Sequence, residues 1–405
     1  MNTRYFHVVA SARKRANKIN KLQDDMGTWW KDQPNLCRVA LSYFKTLFAM
    51  ERNISLPNLS YVDSRVTAAH NANLLSHFSF EEFSIAVQQM HPDKSPGPDG
   101  FNPAFFQHFW SLIGNDIFHA CSSWLNNNEF PASLNETIIV LIPKNDNLVS
   151  MRDLRPIALC NVLYKILAKV LANRLKVFLP VLIDESQSAF VPGRAITNNV
   201  IVAFELIHYM KRKTHGKVGD VTLKIDINKA YDRIRWDYLK AIMLRMGFDS
   251  KWVEWIMLCV FTVSYSISVN GELVRPFSPR HGLRQENPLL PYLFIICAEG
   301  LSSLIKQAER RGAIHGCRIC RGAPRISHLL FADDSFFFFR VDAVKSSTMH
   351  TIFAKYESDS GQAINFQKSG IFLADMSPLR IEILSLLFLA FPLLLTLEDI
   401  LGFPL

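Results

Sequence analysis

Two aspartates stand side by side inside an apolar run, HLLFADDSFFFFRV, and no other stretch restricts the fold as strongly. Leu329 to Ala332 and Phe336 to Phe339 demand burial, whereas Asp333 and Asp334 repel one another unless water or a cation compensates them. A β-hairpin satisfies both demands. The apolar flanks pair as strands in a sheet, and the acids occupy the tight turn. A solvated turn is the plain alternative, because aspartate is common in turns.

A second stretch supplies a third carboxylate. In VTLKIDIN, Val221, Leu223, Ile225 and Ile227 alternate with Thr222, Lys224, Asp226 and Asn228, the period of a strand with one buried face. Asp226 then lies on the polar face near the C-terminal end of that strand. A helix is expected from about Lys229, with Ile234, Tyr238, Ile242 and Met246 in one row and Gly247 as its stop. Three carboxylates from two neighbouring strands are hard oxygen ligands in the number that suits two Mg²⁺ ions, with Mn²⁺ as a substitute. Folding is then expected to bring Asp226 and Asp333 within about 6 Å of one another. Such a centre can make a phosphodiester or, as in a nuclease, break one.

The remaining chain reads as mixed helices and strands without regular alternation, which favours the α+β class. At 405 residues and 49% hydrophobic content it can bury two or three compact units. Residues 3 to 24 read as a basic helix carrying Arg4, Arg13, Lys14, Arg15, Lys18 and Lys21, either a solvated face or an arm that tracks phosphates. Ser79 and Glu82 form the signature of a capping box, with Phe78 and Phe83 as a hydrophobic staple, for a helix ending near Met90. The stretch HPDKSPGPDGFNPAFF that follows must be a loop. Thr137 to Ile142 reads as a buried strand. Asn161 caps a helix whose apolar positions are Leu163, Leu167, Val170, Leu171, Leu175 and Phe178, with Lys165 and Lys169 on another face and Pro180 at the end.

The net charge of +9 fits a polyanionic partner. Seven scattered cysteines without a framework spacing read as reduced thiols, and the first twenty residues hold no continuous apolar stretch, so no signal peptide is expected and the expected location is nuclear or cytoplasmic and not secreted. The run from Ile383 to Leu395 is too short for a bilayer and contains Pro392, so no membrane partner is expected. His315, Cys317 and Cys320 offer part of a zinc cluster that lacks a second cysteine pair; His328, the one further ligand at hand, abuts the hairpin.

Eight segments in order, KSPGPDGFNPAFF, VLIPK, RPIALCNVLYKILAKVLANRLK, QSAFVPGRAITNN, KIDINKAYDRIRWDYL, GLRQENPLLPYLF, HLLFADD and INFQKSGIF, make the chain resemble plant LINE-type (non-LTR) retrotransposon reverse transcriptases. The resemblance implies the polymerase right-hand fold, with fingers and palm, and RNA-directed DNA polymerisation on an RNA template, a DNA primer and dNTPs. It implies that Asp226, Asp333, Asp334 and the Ile227 main-chain carbonyl hold the metals, and that Lys368 protonates the leaving pyrophosphate. Lys144 and Arg155 are implied to hold the triphosphate, Gln285 to lie near nucleotide and template, and Tyr231 to block a ribose 2′-hydroxyl. Lys94 falls in a template-side loop, and Lys165 and Lys169 offer phosphates a basic face. On this reading residues 1–60 are a basic helical linker, 61–215 a fingers-like region, 216–375 the palm and 376–405 a divergent C-terminal segment.

The departures matter as well. Where the family reads GLRQGDPLSPYLF, Glu286 replaces glycine, Asn287 aspartate and Leu290 serine. No endonuclease segment is visible before the motifs, and the closing LGFPL resembles a primer-gripping segment, so the thumb is expected to be largely absent. A catalytically impaired relic that at most binds nucleic acid is the alternative to an active polymerase.

Overall fold

The computed structural model describes residues 3–49, 57–212, 220–340, 343–365 and 368–373. The apolar run from Ile383 and the LGFPL end lie outside the described residues, and with them the question of a thumb. Among the described residues, eleven strands run in chain order: β1 (Leu22–Gln23), β2 (Trp29–Trp30), β3 (Glu136–Pro143), β4 (Leu154–Cys160), β5 (Asp220–Asn228), β6 (Ser264–Val269), β7 (Glu272–Phe277), β8 (His328–Phe331), β9 (Asp334–Arg340), β10 (Ala363–Ile364) and β11 (Gly370–Leu373). Helices are interspersed irregularly, as an α+β chain requires. No described helix is long and apolar enough to cross a membrane. The described residues form two compact units, each drawn from three separated stretches of the chain.

The first unit comprises 1–52, 77–171 and 254–288. Its sheet has the order β4-β3-β6-β7, with β3 parallel to β6 and the other pairs antiparallel. The basic N-terminal helix is shorter than its charge pattern suggests, Arg4–Ala16, because the chain turns into the β1–β2 hairpin. The capping box at Ser79 and Glu82 forms as the spacing predicts, and Phe78 meets Phe83 edge-on. The helix after Asn161, Val162–Lys176, buries a broader face than its apolar spacing alone suggests. Tyr164, Ile166, Leu167, Ala168, Val170 and Leu171 are all buried, while Lys165 and Lys169 keep a less buried face. It stops at Lys176, and Pro180 sits in the first turn of a separate short helix, Leu179–Leu182, where a missing N–H costs nothing. Asn161 spends its side chain elsewhere, accepting the Asp99 N–H at 3.2 Å and donating to the Ser133 carbonyl at 2.9 Å. This ties down the Pro/Gly-rich loop. Gly97 approaches so closely that a Cβ there would lie 2.3 Å from the Asn161 nitrogen.

The second unit comprises 53–76, 172–253 and 289–405. Its sheet has the order β10-β5-β9-β8, with β11 also paired to β5 and every pair antiparallel. β5 is thus a central strand, and the expectation of a single buried face fails at its start, where Asp220, Val221, Thr222 and Leu223 are all buried. Helices on both faces explain the four consecutive phenylalanines of β9. Phe336 and Phe338 pack with Leu206, Ile207 and Met210 of the helix Ile196–Arg212. Phe337 meets Phe353 of the helix Ala343–Ser360 at 5.1 Å on the other side.

The helix expected from Lys229 begins seven residues later, as Trp236–Met246. Lys229 itself has φ +50°, which breaks the path from strand to helix, so Tyr231 lies in a turn and not on a helix. The stop is as read: Gly247 has φ +96°. Its surroundings are tight, since a Cβ would lie 2.5 Å from Ser64 Oγ and 2.9 Å from the Val66 carbonyl. Gly247→Ala should therefore destabilise the protein by about 1–3 kcal/mol, from the left-handed backbone and the clash together. Equilibrium urea unfolding checks this, and an unchanged midpoint would contradict the packing described.

Candidate active site

The acids converge because of strand register. Pairing along β5 and β9 ends with Asp226 directly opposite Asp334, and the β8–β9 pairing closes with Phe331 opposite Asp334. Ala332 and Asp333 are the two turn residues between them, with Ala332 at φ +62°. Directly opposed residues of an antiparallel pair project to the same face, with Cβ atoms about 4.5–5.5 Å apart. The electrostatics register the crowding. The Asp334 carboxyl is held above the usual carboxylate range, first by loss of hydration beside the sheet and then by the charges of Asp333 and Asp226, with Lys224 opposing.

Backbone directions add a fourth oxygen. The Asp226 carbonyl accepts the Asn365 N–H at 2.8 Å on the β10 side. Carbonyls alternate along a strand, so that of Ile227 turns the other way, toward the hairpin end. Carboxylates and a carbonyl are the ligand chemistry of a hard divalent cation, and such a cation would offset the repulsion that raises Asp334. Among the described residues, no three histidine, cysteine, aspartate or glutamate side chains already stand close enough to hold a metal. Asp333 and Asp334 are exposed, so rotation of their side chains is what gathering around an ion requires.

Other expected residues surround this point. Tyr231 packs on Phe294 with ring centroids 4.6 Å apart. Its hydroxyl pKa is pushed up to about 12, first by burial and then by the charge of Asp333, which sets the ring within electrostatic reach of the acids. Asn365 and Ser369 lie against the same strand. Asn365 Nδ2 donates to Asp226 Oδ2 at 2.9 Å, and the Asp226 N–H donates to Ser369 Oγ at 3.0 Å. Lys368 is exposed on the turn closed by its N–H donating to the Asn365 carbonyl.

The expected cations belong to the first unit. Ile142 pairs with Arg155, and the Lys144 N–H donates to the Asp153 carbonyl at 2.9 Å, one step beyond the ladder. Residues 144 and 155 therefore share a sheet face as diagonal neighbours, and both are exposed. Lys144 Nζ currently donates to the Arg152 carbonyl. Lys165 reaches the Ser95 carbonyl at 3.4 Å, and Lys169 is half-buried on the same helix.

The GLRQEN segment shows how the chain accommodates its departures. Glu286 keeps a glycine-like φ of +63°, and its carboxylate lies 3.3 Å from the Nζ of Lys94. Gln285 beside it is half-buried. Asn287 is buried and donates to the Tyr164 hydroxyl at 2.9 Å. Arg284 is buried too, stacked 3.9 Å over the Tyr164 ring and bonded to Asn135 and Thr137. It is a residue the motif reading gave no part, and its neighbours Leu283, Gln285 and Glu286 carry no local signal of burial.

Three further residues were silent in the sequence: Asn365, Ser369 and Gln187, whose Oε1 accepts the Ala332 N–H at 3.3 Å. The zinc fragment does not assemble among the described residues. Cys317 is held in a backbone bridge with Ile326, Cys320 is exposed, and His328 is enclosed by the hydroxyls of Ser186, Ser302 and Ser327.

Residues 142–391 match the family "Reverse transcriptase (RNA-dependent DNA polymerase)". The transposon TX1 uncharacterized 149 kDa protein of Xenopus laevis is 27% identical over 75% of this chain and 23% of its own length. A Pol polyprotein from a type-1 retrotransposable element R2 of Popillia japonica is 26% identical over 71% of this chain and 38% of its own. An uncharacterized mitochondrial protein of Arabidopsis thaliana is 49% identical over 16% of this chain and 55% of its own length. The chain thus spans less than two thirds of each of these relatives.

The Lys94–Glu286 pair has a measurable consequence. Both partners are largely exposed, so the pair adds little stability, but it offsets the charge of Lys94. Glu286→Gln should tighten binding to an RNA–DNA duplex several-fold at low salt and steepen the salt dependence by about one counterion. Fluorescence anisotropy across a salt series reads both, and equal slopes for the two proteins would show that Lys94 takes no phosphate.

Proposed function

The chain belongs to the reverse transcriptase (RNA-dependent DNA polymerase) family, as a domain of the non-LTR retrotransposon kind, and from that premise we propose that it extends a DNA primer on an RNA template by nucleotidyl transfer from dNTPs. The observation that carries this reading is the register that sets Asp226 opposite Asp334 with Asp333 beside it. Two divalent cations, Mg²⁺ or in its place Mn²⁺, would supply activation of the primer 3′-hydroxyl and charge neutralisation at the triphosphate. Asp226, Asp333, Asp334 and the Ile227 carbonyl would hold them. Asn365 and Ser369 steady Asp226 from its other side.

In this proposal Lys144 and Arg155 hold the triphosphate, as two fixed cations on one sheet face suit a developing negative charge. Lys368 gives a proton to the leaving pyrophosphate. Tyr231, fixed against Phe294 beside the acids, bars a 2′-hydroxyl. Gln285 lies by nucleotide and template, and Lys94, Lys165 and Lys169 contact nucleic-acid phosphates. We assign the chain to the plant LINE lineage on its motifs, with the Arabidopsis match in support, and to the nucleus or cytoplasm on its unframed cysteines.

One observation favours a second reading, in which this copy is catalytically impaired. Glu286 is a side chain in a left-handed conformation that its neighbours must tolerate, and it neutralises Lys94.

Primer extension with purified protein separates the readings. The natural chain should add dNTPs in Mg²⁺, and Asp226→Asn should lower the rate about a thousandfold or more, equivalent to ~4 kcal/mol of barrier. Natural-chain incorporation no greater than that of Asp226→Asn would reject an active polymerase. Under the impaired reading Glu286→Gly should raise single-nucleotide addition about tenfold or more; no gain would leave Glu286 without blame.

A further inference from the structure

β8 is the last strand of its sheet, yet its outer edge is not bare. Residues 186–188 run beside it: the Leu330 N–H donates to the Ser186 carbonyl at 2.8 Å, and the Ser188 N–H donates to the Leu330 carbonyl at 3.2 Å. This rail is itself anchored. Asn199 Nδ2 donates to the Ser186 carbonyl at 2.7 Å, Arg194 donates to the Gln187 carbonyl at 2.8 Å and to that of Asp184, and Ser186 Oγ meets His328 Nε2 at 2.9 Å. On the rail sits Gln187, 1% exposed. Its Oε1 accepts two backbone N–H groups, Ala189 at 2.9 Å and Ala332 at 3.3 Å.

Ala332 is the first of the two turn residues, and the residue after it is Asp333. A two-residue hairpin turn with positive φ at its first position is most at ease with glycine. Here an alanine holds φ +62°. Its N–H points out of the β8–β9 ladder, and the Gln187 carboxamide is the acceptor it finds. We propose that Gln187 is a positioning residue, a buried clamp that holds the hairpin turn in its left-handed form and so fixes where Asp333 is presented. The rail fixes the clamp, the clamp fixes the Ala332 peptide, and that peptide leads directly into the acid. The metal-facing half of this inference rests on the polymerase reading, whereas the clamp itself does not.

The test uses the full chain and four variants: Gln187→Met, which matches the length but accepts no N–H bond; Gln187→Glu, which keeps an acceptor; Ala332→Gly, which adopts positive φ freely; and Gln187→Met combined with Ala332→Gly. One readout is residue-resolved hydrogen exchange at the Ala332 amide, with the Leu223 and Ile225 amides of β5 as internal reference. The other is Mn²⁺ affinity by electron paramagnetic resonance. In Gln187→Met the Ala332 amide should exchange about tenfold faster while the β5 amides keep their rates. Its Mn²⁺ affinity should fall by about tenfold. Gln187→Glu should restore slow exchange. Ala332→Gly should restore Mn²⁺ affinity to the Gln187→Met background without restoring slow exchange, which repair of a merely structural defect would not do. Unchanged exchange at Ala332 in Gln187→Met, or a loss of affinity that Ala332→Gly does not repair, overturns the proposal. Should Gln187→Met not fold by circular dichroism, Gln187→Asn withdraws the same acceptor and is judged by the same criteria. If the natural chain binds no Mn²⁺, the metal reading of the acids fails, and the exchange arm alone still decides the clamp.

Discussion

Seven residue pairs zip Asp220–Asp226 against Asp334–Arg340, and the last of them sets two carboxylates face to face. Side chains alternate along a strand, so a slip of one residue in this ladder would turn Asp226 to the opposite face of the sheet. The register is held by what lies behind it. The phenylalanines of β9 are buried alternately against helices on either face, and a slip would exchange the two sets. Geometry at the acids is therefore a by-product of packing well away from them.

The hairpin is secured at its other end by polar groups rather than apolar ones. His328 opens β8 fully enclosed, with Ser186 and Ser302 at Nε2 and Ser327 at Nδ1. Its pKa is pushed down to about 4 by burial, which keeps it neutral and lets each nitrogen serve a hydroxyl. Nearby, Glu299 is buried with its pKa raised to about 7 by desolvation, while Arg65 at 2.7 Å opposes that rise. A polar layer of this kind is costly unless satisfied, so it admits few alternative arrangements of the strand it grips.

In the first unit a comparable part falls to Arg284. Its guanidinium lies over Tyr164 and bonds Asn135 and Thr137, which fixes the start of the segment carrying Gln285, Glu286 and Asn287. Asn287 closes the same cluster through the Tyr164 hydroxyl. With both ends of the segment pinned, Glu286 has no freedom to relax its backbone. It keeps the left-handed conformation and spends its charge on Lys94.

Much of this was legible in the sequence. The period of VTLKIDIN, the apolar runs around Asp333-Asp334, the capping box at Ser79 and the stop at Gly247 are local signals, written in residues that neighbour one another. Eight ordered motifs pointed to a non-LTR reverse transcriptase, which the comparison bears out, while the plant lineage stays a proposal. What depends on distant partners was not legible. Local pattern showed one face of β5 as apolar, but helices and strands from elsewhere cover both. Asn161 looked like a helix cap until the Gly97 loop claimed its side chain. Gln187, Asn365 and Arg284 are ordinary polar residues by any local rule, because their value lies in a single acceptor or donor reaching a backbone or side chain far along the chain. The sequence by itself determined which residues carry charge and where strands and turns begin. Only tertiary packing decided which of those charges meet, since register and burial are settled by contacts that no local window contains.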